Sequence, residues 1–274
     1  MTLFALLIIM AIERVTTKSK QFHIATLCQQ YFSFLRDKNL IKDEVSHLTA
    51  IAIAAVPAIV IYAVFWWVPL LIEFVIILVV LWVCIGCPVT RATYKKYLAA
   101  ANREDFEACA LHSISFGNQG GKLDNVGKQL VLVNYRQYVS VVIFFVLTGV
   151  AGLVFYSIIK ELSLQTKQQE QRIEDKTPTD TILFILDWIP VRITTFGFLV
   201  VGHFSNAFSY WLTVLMTPGI QSYDALGLVA KAAEDVSECN TVIDEPLQLV
   251  KLVKRNLVFI LMLTALGTMV GLVR

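Results

Sequence analysis

Leu186-Asp187-Trp188-Ile189-Pro190-Val191-Arg192 (LDWIPVR) sets an acid, a proline and a guanidinium in a run that otherwise carries no formal charge from Ile182 to Met216. An ionisable side chain at the centre of a membrane helix costs about 2.5–3.5 kcal/mol on insertion scales, so it needs a partner or a wet surface. On an uninterrupted helix, side chains five residues apart are turned by about 500° and do not share a face. Pro190 would also clash with the carbonyl of Leu186 and remove its hydrogen bond. If Asp187 is instead the N-cap of a new turn, Pro190 falls in a first turn that needs no N–H there. The stretch therefore predicts a broken helix near residue 187. Broken backbone at membrane depth is tolerated where it is buried in protein or lines a wet cavity. A helix N-terminus facing such a cavity favours anions. The competing reading is a kinked helix with a structural Asp187–Arg192 pair.

Composition supplies the membrane. The 274 residues are 57% hydrophobic and 16% charged, with a mean hydropathy of +0.66. Soluble domains run at about 45–50% apolar and about 25% charged. A net charge of +2, with no basic cluster interleaved with aromatics, speaks against nucleic acid as a partner. The opening MTLFALLIIMAIER has no basic leader and no small-residue cleavage site, so it reads as mature protein. Cys28, Cys84, Cys87, Cys109 and Cys239 are scattered and odd in number, which speaks against a disulfide framework. Cys84 and Cys87 have metal-pair spacing but no nearby histidine or second pair, and read as helix-end residues.

A bilayer core about 30 Å thick takes about 20 apolar residues per helix. His47–Trp66, Val68–Gly86 and Tyr138–Ile159 meet this; Thr181–Val201 contains the heptapeptide, and Leu257–Val273 is shorter but uncharged. The predicted fold is an all-α polytopic membrane bundle of about five crossings with added interfacial helices. Leu3–Ile12 is too short to span. Lys and Arg number six in residues 14–46 and seven in 87–137, against four in 160–180. The positive-inside rule then places the N-terminus in the cytoplasm, with a re-entrant 181–216 hairpin as the other topology. The resulting organisation is an N-terminal interfacial and cytoplasmic segment (1–46), a transmembrane hairpin (47–86) and a cytoplasmic helical loop (87–137). A transmembrane region with the broken helix (138–217), a cytoplasmic helical segment (218–255) and a C-terminal transmembrane helix (256–274) follow. Within the loop, TRATYKKYLAAANREDFEACALHSI reads as one helix and Leu123–Tyr138 as another, and Gln165–Lys176 reads as a flexible outer loop.

Gly117-Asn118-Gln119-Gly120-Gly121-Lys122 is one residue short of a phosphate loop, has Leu123 where a metal-binding hydroxyl belongs, and follows no strand. It reads as a turn rather than an ATP site, and no other cofactor or metal is indicated. His23, His47, His112 and His203 form no i, i+4 pair. His203 follows the heptapeptide closely enough to share its site, and Glu13 ends the N-terminal apolar segment. Phe204–Met216 is aromatic-rich and fits an interfacial helix.

Glu13-Arg14 after the opening MTLF, Tyr97–Asp105, Asn134-Tyr135-Arg136-Gln137-Tyr138, Leu186–Arg192 and Gly202-His203 occur in the order seen in the AmpE family, which the chain resembles over nearly its full length. The resemblance implies a Gram-negative inner-membrane protein tied to β-lactamase induction and peptidoglycan recycling, with a muropeptide amidase as functional partner. The family is similar in turn to membrane adenosylcobinamide-phosphate synthases. Their N-terminal His-Pro-Val element is absent here, and their acidic element before the third span is replaced by Val133–Gln137, so what is shared is a scaffold. The expected mechanism is sensing of a small anionic ligand by Asp187, Arg192, Arg136, Asn134, Glu13 and His203. The two arginines would hold anionic groups while Asp187 orients them. A membrane ligase or transferase using the same residues, and a ligand-free scaffold, are the alternatives.

Overall fold

A computed structural model describes residues 2–16, 22–38, 46–117, 123–170, 177–234 and 244–271. Every regular element among them is helical. Residues 118–122 of the glycine-rich turn, residues 171–176 of the expected outer loop, and Cys239 lie outside the described residues. The chain divides into two compact units, one of Met1–Gly86, Val141–Asp187 and Gly267–Arg274, the other of Cys87–Ser140 and Trp188–Leu266.

The first unit begins with α1 (Thr2–Val15), which packs on α4 (Leu70–Cys84) and buries Ala5, Leu6 and Ile9. In α2 (Ile24–Asp37), His23 is the N-cap. Its Nδ1 accepts the Ala25 N–H at 3.2 Å, so the proton sits on Nε2, which donates to the Gly86 carbonyl at 2.8 Å. Tyr31 ties α2 to α3 (His47–Trp67) through the Ile53 carbonyl at 3.2 Å. A two-residue link, Val68-Pro69, joins α3 to α4 within the expected 47–86 hairpin and leaves Trp66 and Trp67 exposed. In water these rings would be badly placed; at headgroup depth they fit.

Among the described residues, four helical stretches are long and apolar enough to cross a membrane: His47–Trp67, Leu70–Ala101, Val126–Thr166 and Pro178–Val201. The chain is an all-α membrane bundle. The fifth expected crossing falls in the latter part of α12 (Asp244–Met269), outside that set.

The third stretch is not a straight rod. Inside α8 (Ser140–Glu170), Gly149 has φ 71° and ψ −165°, a conformation open essentially to glycine alone. Phe144 and Tyr156 stack with ring centroids 4.1 Å apart, whereas twelve residues of straight helix would separate them by about 18 Å. The helix turns sharply at Gly149.

In the second unit, α5 (Pro88–Ala101) and α6 (Phe106–Ile114) replace the single helix expected there. Glu104 has φ 58°, and Asp105 starts α6 by accepting the Ala108 N–H at 2.9 Å. A local side-chain cap thus outcompetes continuation of the alanine-rich helix. Tyr97, Cys109, Phe116, Val126, Leu130 and Val250 form the core around them. Next come α7 (Val126–Asn134), a π-helical turn at Tyr135–Val139, α10 (Phe204–Met216), α11 (Ser222–Ala233) and the body of α12. At Gly127 an added Cβ would meet the Leu249 side chain at 2.8 Å, and at Gly227 it would meet the Lys128 stem at 2.8 Å, so side chains of α12 and α7 seat directly on the backbone of α7 and α11. Lys231–Glu245 at 2.6 Å and an Arg255–Glu234 pair hold the end of α11 to the first half of α12.

The break expected near residue 187 is absent. α9 runs unbroken over Pro178–Val201 with Pro190 inside it. Proline is tolerated in membrane helices where hydroxyl and neighbouring side chains serve the disturbed backbone. Around the proline, Thr194 Oγ1 donates to the Pro190 carbonyl at 2.7 Å, Thr195 Oγ1 to the Arg192 carbonyl at 3.1 Å, and Arg192 Nη1 to the Trp188 carbonyl at 3.0 Å, bonds that add to the helix near the proline but do not reach the Leu186 carbonyl it leaves open.

Candidate functional site

Asp187 is 1% exposed, and the Tyr156 hydroxyl donates to its Oδ1 at 2.9 Å. Seven residues earlier on α9, Asp180 accepts from Ser163 Oγ at 2.6 Å, seven residues later on α8. Seven residues are almost two helical turns, so the two acids share one face of α9 and their two donors share one face of antiparallel α8. Between the donors, at the same helical spacing, stands Lys160, 4% exposed, with its ammonium 3.6 Å from the Glu161 carboxylate. The result is a polar seam along the α8–α9 pair, carrying two acids, a phenol and a hydroxyl, with Lys160 on the same face of α8 and its partner Glu161 beside that face.

Burying ions in this way stabilises weakly and specifies strongly. Each charge loses several kcal/mol of hydration, and removing one partner leaves the other buried without compensation. The Phe144 ring presses on Tyr156 from the near side of the bend, so the glycine turn and the Asp187 hydrogen bond are properties of one cluster. Thr177 and Thr179, both buried, cap the far end with their hydroxyls 2.9 Å apart, and the Thr177 N–H donates to Asp180 Oδ2 at 3.4 Å. Cys28 is buried as well, and burial followed by the nearby Glu161 and Cys84 pushes its thiol from 9.0 to about 12.

Of the six residues expected to form one pocket, Glu13 and Asp187 belong to the first unit and Asn134, Arg136, Arg192 and His203 to the second. Arg192 has no carboxylate partner among the described residues. Its Nη1 and Nη2 donate to the carbonyls of Trp188 and Val214 at 3.0 and 3.4 Å, and its guanidinium lies 3.9 Å over the Trp188 ring. The expected Asp187–Arg192 couple does not form, because on a continuous α9 the two side chains leave on different faces. Asn134 turns back on its own helix and donates to the Leu130 carbonyl at 2.8 Å. Arg136 sits half-buried in the π-helical turn, where its carbonyl accepts from Ser140 Oγ at 3.1 Å. Its neighbours fasten that turn to α5, Gln137 through Thr90 at 2.9 Å and Tyr138 through Arg91 at 3.4 Å. Glu13 is half-buried near the end of α1. His203 is the exposed N-cap of α10, and its backbone N–H donates to the Ala233 carbonyl at 2.8 Å.

Asp187 lies in the seam; Tyr156, Lys160, Ser163 and Asp180 were not among the expected site residues. A detectable signal exists: polar residues repeat at a spacing of seven on each of two consecutive apolar helices. That pattern becomes a contact once the two helices are set antiparallel.

The sequence model of the AmpE family, described as "Regulatory signalling modulator protein AmpE", matches residues 1–273. Protein AmpE of Shigella flexneri is 22% identical over 284 residues, covering 99% of each chain. No solved structure matches the chain.

Proposed function

Since the chain belongs to the AmpE family of regulatory signalling modulator proteins, we propose that it modulates β-lactamase induction and peptidoglycan recycling from the inner membrane, and that the α8–α9 seam is the element its signal acts on. The observation that carries this reading is Asp187: an acid in a membrane-spanning helix, closed off from solvent and held by a phenolic donor from α8. A small anionic ligand or a partner that loosens the hinge at Gly149 changes the Tyr156 position and thereby the Asp187 contact. This reading requires the seam to have a second arrangement that the signal favours.

Packing and charge support an orientation. α7 packs on α11, which fits loops 87–137 and 218–255 on one side of the membrane. Both carry lysines and arginines, which favours the cytoplasmic side and an N-terminus there. A cytoplasmic amidase of muropeptides would meet the protein on this face.

The test is chromosomal replacement of Asp187 by Ala and by Asn, with β-lactamase induction by a β-lactam as readout and membrane insertion checked by immunoblot. Altered induction with normal insertion supports the reading. Unchanged induction in both variants refutes the seam's role, while deletion of the whole chain without effect refutes the pathway.

A further inference from the structure

The guanidinium of Arg192 stands on the outward face of α9 in a row with Trp188, Ile189, Phe196 and Val200, all four of them exposed. That face belongs to a helix long and apolar enough to cross the membrane. Arginine in such a place asks for a counter-ion, and the described residues supply none: the polar partners of Arg192 are two neutral backbone carbonyls. A guanidinium has five N–H donors, and these two bonds leave the greater part of its donor capacity unused, while its charge meets the Trp188 ring but no anion among the described residues.

The neighbouring layer is short of acceptors too. α10 runs antiparallel to α9 here, with Val214 opposite Arg192 and Trp211 against Phe196 at a centroid distance of 5.6 Å. The indole Nε1–H of Trp211 is buried without an acceptor among the described residues. Phe208 and Phe204 extend the aromatic layer, at 6.2 Å from Trp211 and 5.6 Å from Phe208 respectively. Stacking on Trp188 at 3.9 Å holds the guanidinium plane in place and leaves its edge to bind. Donors, fixed positive charge and a flanking aromatic layer together fit a phosphate oxyanion.

We propose that Arg192 and Trp188, with α10 alongside, bind a phosphate group, taken from the headgroup of an anionic phospholipid or from free phosphate. This site is separate from the α8–α9 seam and stands whether or not the seam transmits a signal.

Native mass spectrometry of the full-length protein, released from detergent with equal phosphatidylglycerol and phosphatidylcholine, tests it. A charge-assisted contact predicts about a ten-fold preference for phosphatidylglycerol. Arg192→Gln abolishes the preference, Arg192→Lys retains part of it, and Lys251→Gln, an exposed cation elsewhere, leaves it intact. Competition by inorganic phosphate identifies free phosphate as the occupant; lipid retention that phosphate leaves unchanged identifies the headgroup. Equal retention of the two lipids by the unsubstituted protein, with no binding of inorganic phosphate, overturns the proposal, and this arm needs no variant to fold. So does a preference that survives in Arg192→Gln.

Discussion

Tyr156 and Asp187, on antiparallel α8 and α9, share a hydrogen bond of 2.9 Å within a layer closed to solvent. A buried side-chain hydrogen bond is worth about 0.5–3 kcal/mol, so Tyr156→Phe is expected to lower stability within that range while keeping the ring stacked on Phe144. Asp187→Asn preserves an acceptor oxygen opposite the phenol and costs less than Asp187→Ala. Chemical denaturation in mixed micelles measures all three. An Ala variant as stable as the unsubstituted protein would show that the contact contributes nothing.

The stack of Phe144 on Tyr156 makes the bend at Gly149 measurable. A double-mutant cycle of Phe144→Leu and Tyr156→Leu is expected to give a coupling of about 0.5–1.5 kcal/mol, the range for aromatic pairs beyond their buried area. On a straight helix the rings would be about 18 Å apart and the coupling near zero. An added Cβ at Gly149 meets nothing within 4 Å. The cost of Gly149→Ala is therefore conformational alone, about 1–3 kcal/mol, and the same substitution should erase the coupling.

Cys28 reports on the surroundings of Lys160 and Glu161. Its thiol is raised from 9.0 to about 12 by burial first, then by Glu161 and Cys84, against a lowering from Lys160. At pH 8 the half-exposed Cys87 should be alkylated while Cys28 stays protected, as peptide mass spectrometry would report. The sign for stability follows from proton binding. Below pH 9 folded and unfolded chains both hold the proton; between 9 and about 12 only the unfolded chain releases it. Stability should fall across that window, and Cys28→Ala should flatten the fall. A slope identical in both proteins would contradict the assignment.

Much of the fold is legible because lipid demands it. Segments such as His47–Trp67 must be helical and apolar, and periodicity is not needed to find them. The apolar run Tyr138–Ile159 coincides with much of α8, yet nothing in it announces the bend. Gly149 is an ordinary residue for a membrane helix until its positive φ is known. The heptapeptide misleads for the opposite reason. Pro190 and Asp187 satisfy the local rules for a fresh helix start, but the partner that makes a break unnecessary lies 31 residues away on α8. Local sequence cannot weigh a distant donor. It does mark Asp187, because an acid in an apolar run is visible without knowing what answers it. Lys160 and Glu161 escape notice because they read as the polar end of a span, whereas both are buried.

Gly202-His203 separates a packing role from a chemical one. A Cβ on Gly202 would lie 2.7 Å from the Ala233 carbonyl oxygen, 2.8 Å from the Ala233 Cβ and 2.9 Å from the Phe198 carbonyl oxygen. Two of these are backbone atoms, which cannot swing aside as a side-chain tip would. Gly202→Val should therefore push α11 away from the α9–α10 junction, break the His203 N–H bond to Ala233, and cost about 1–3 kcal/mol by overpacking. His203→Ala keeps that backbone bond and removes only an exposed imidazole, so thermal unfolding should be unchanged within about 0.5 kcal/mol. With stability thus held constant, the induction assay on His203→Ala reads chemistry alone. A loss of induction would assign the imidazole a role in signalling, and normal induction would leave Gly202 as the reason the dipeptide takes this form.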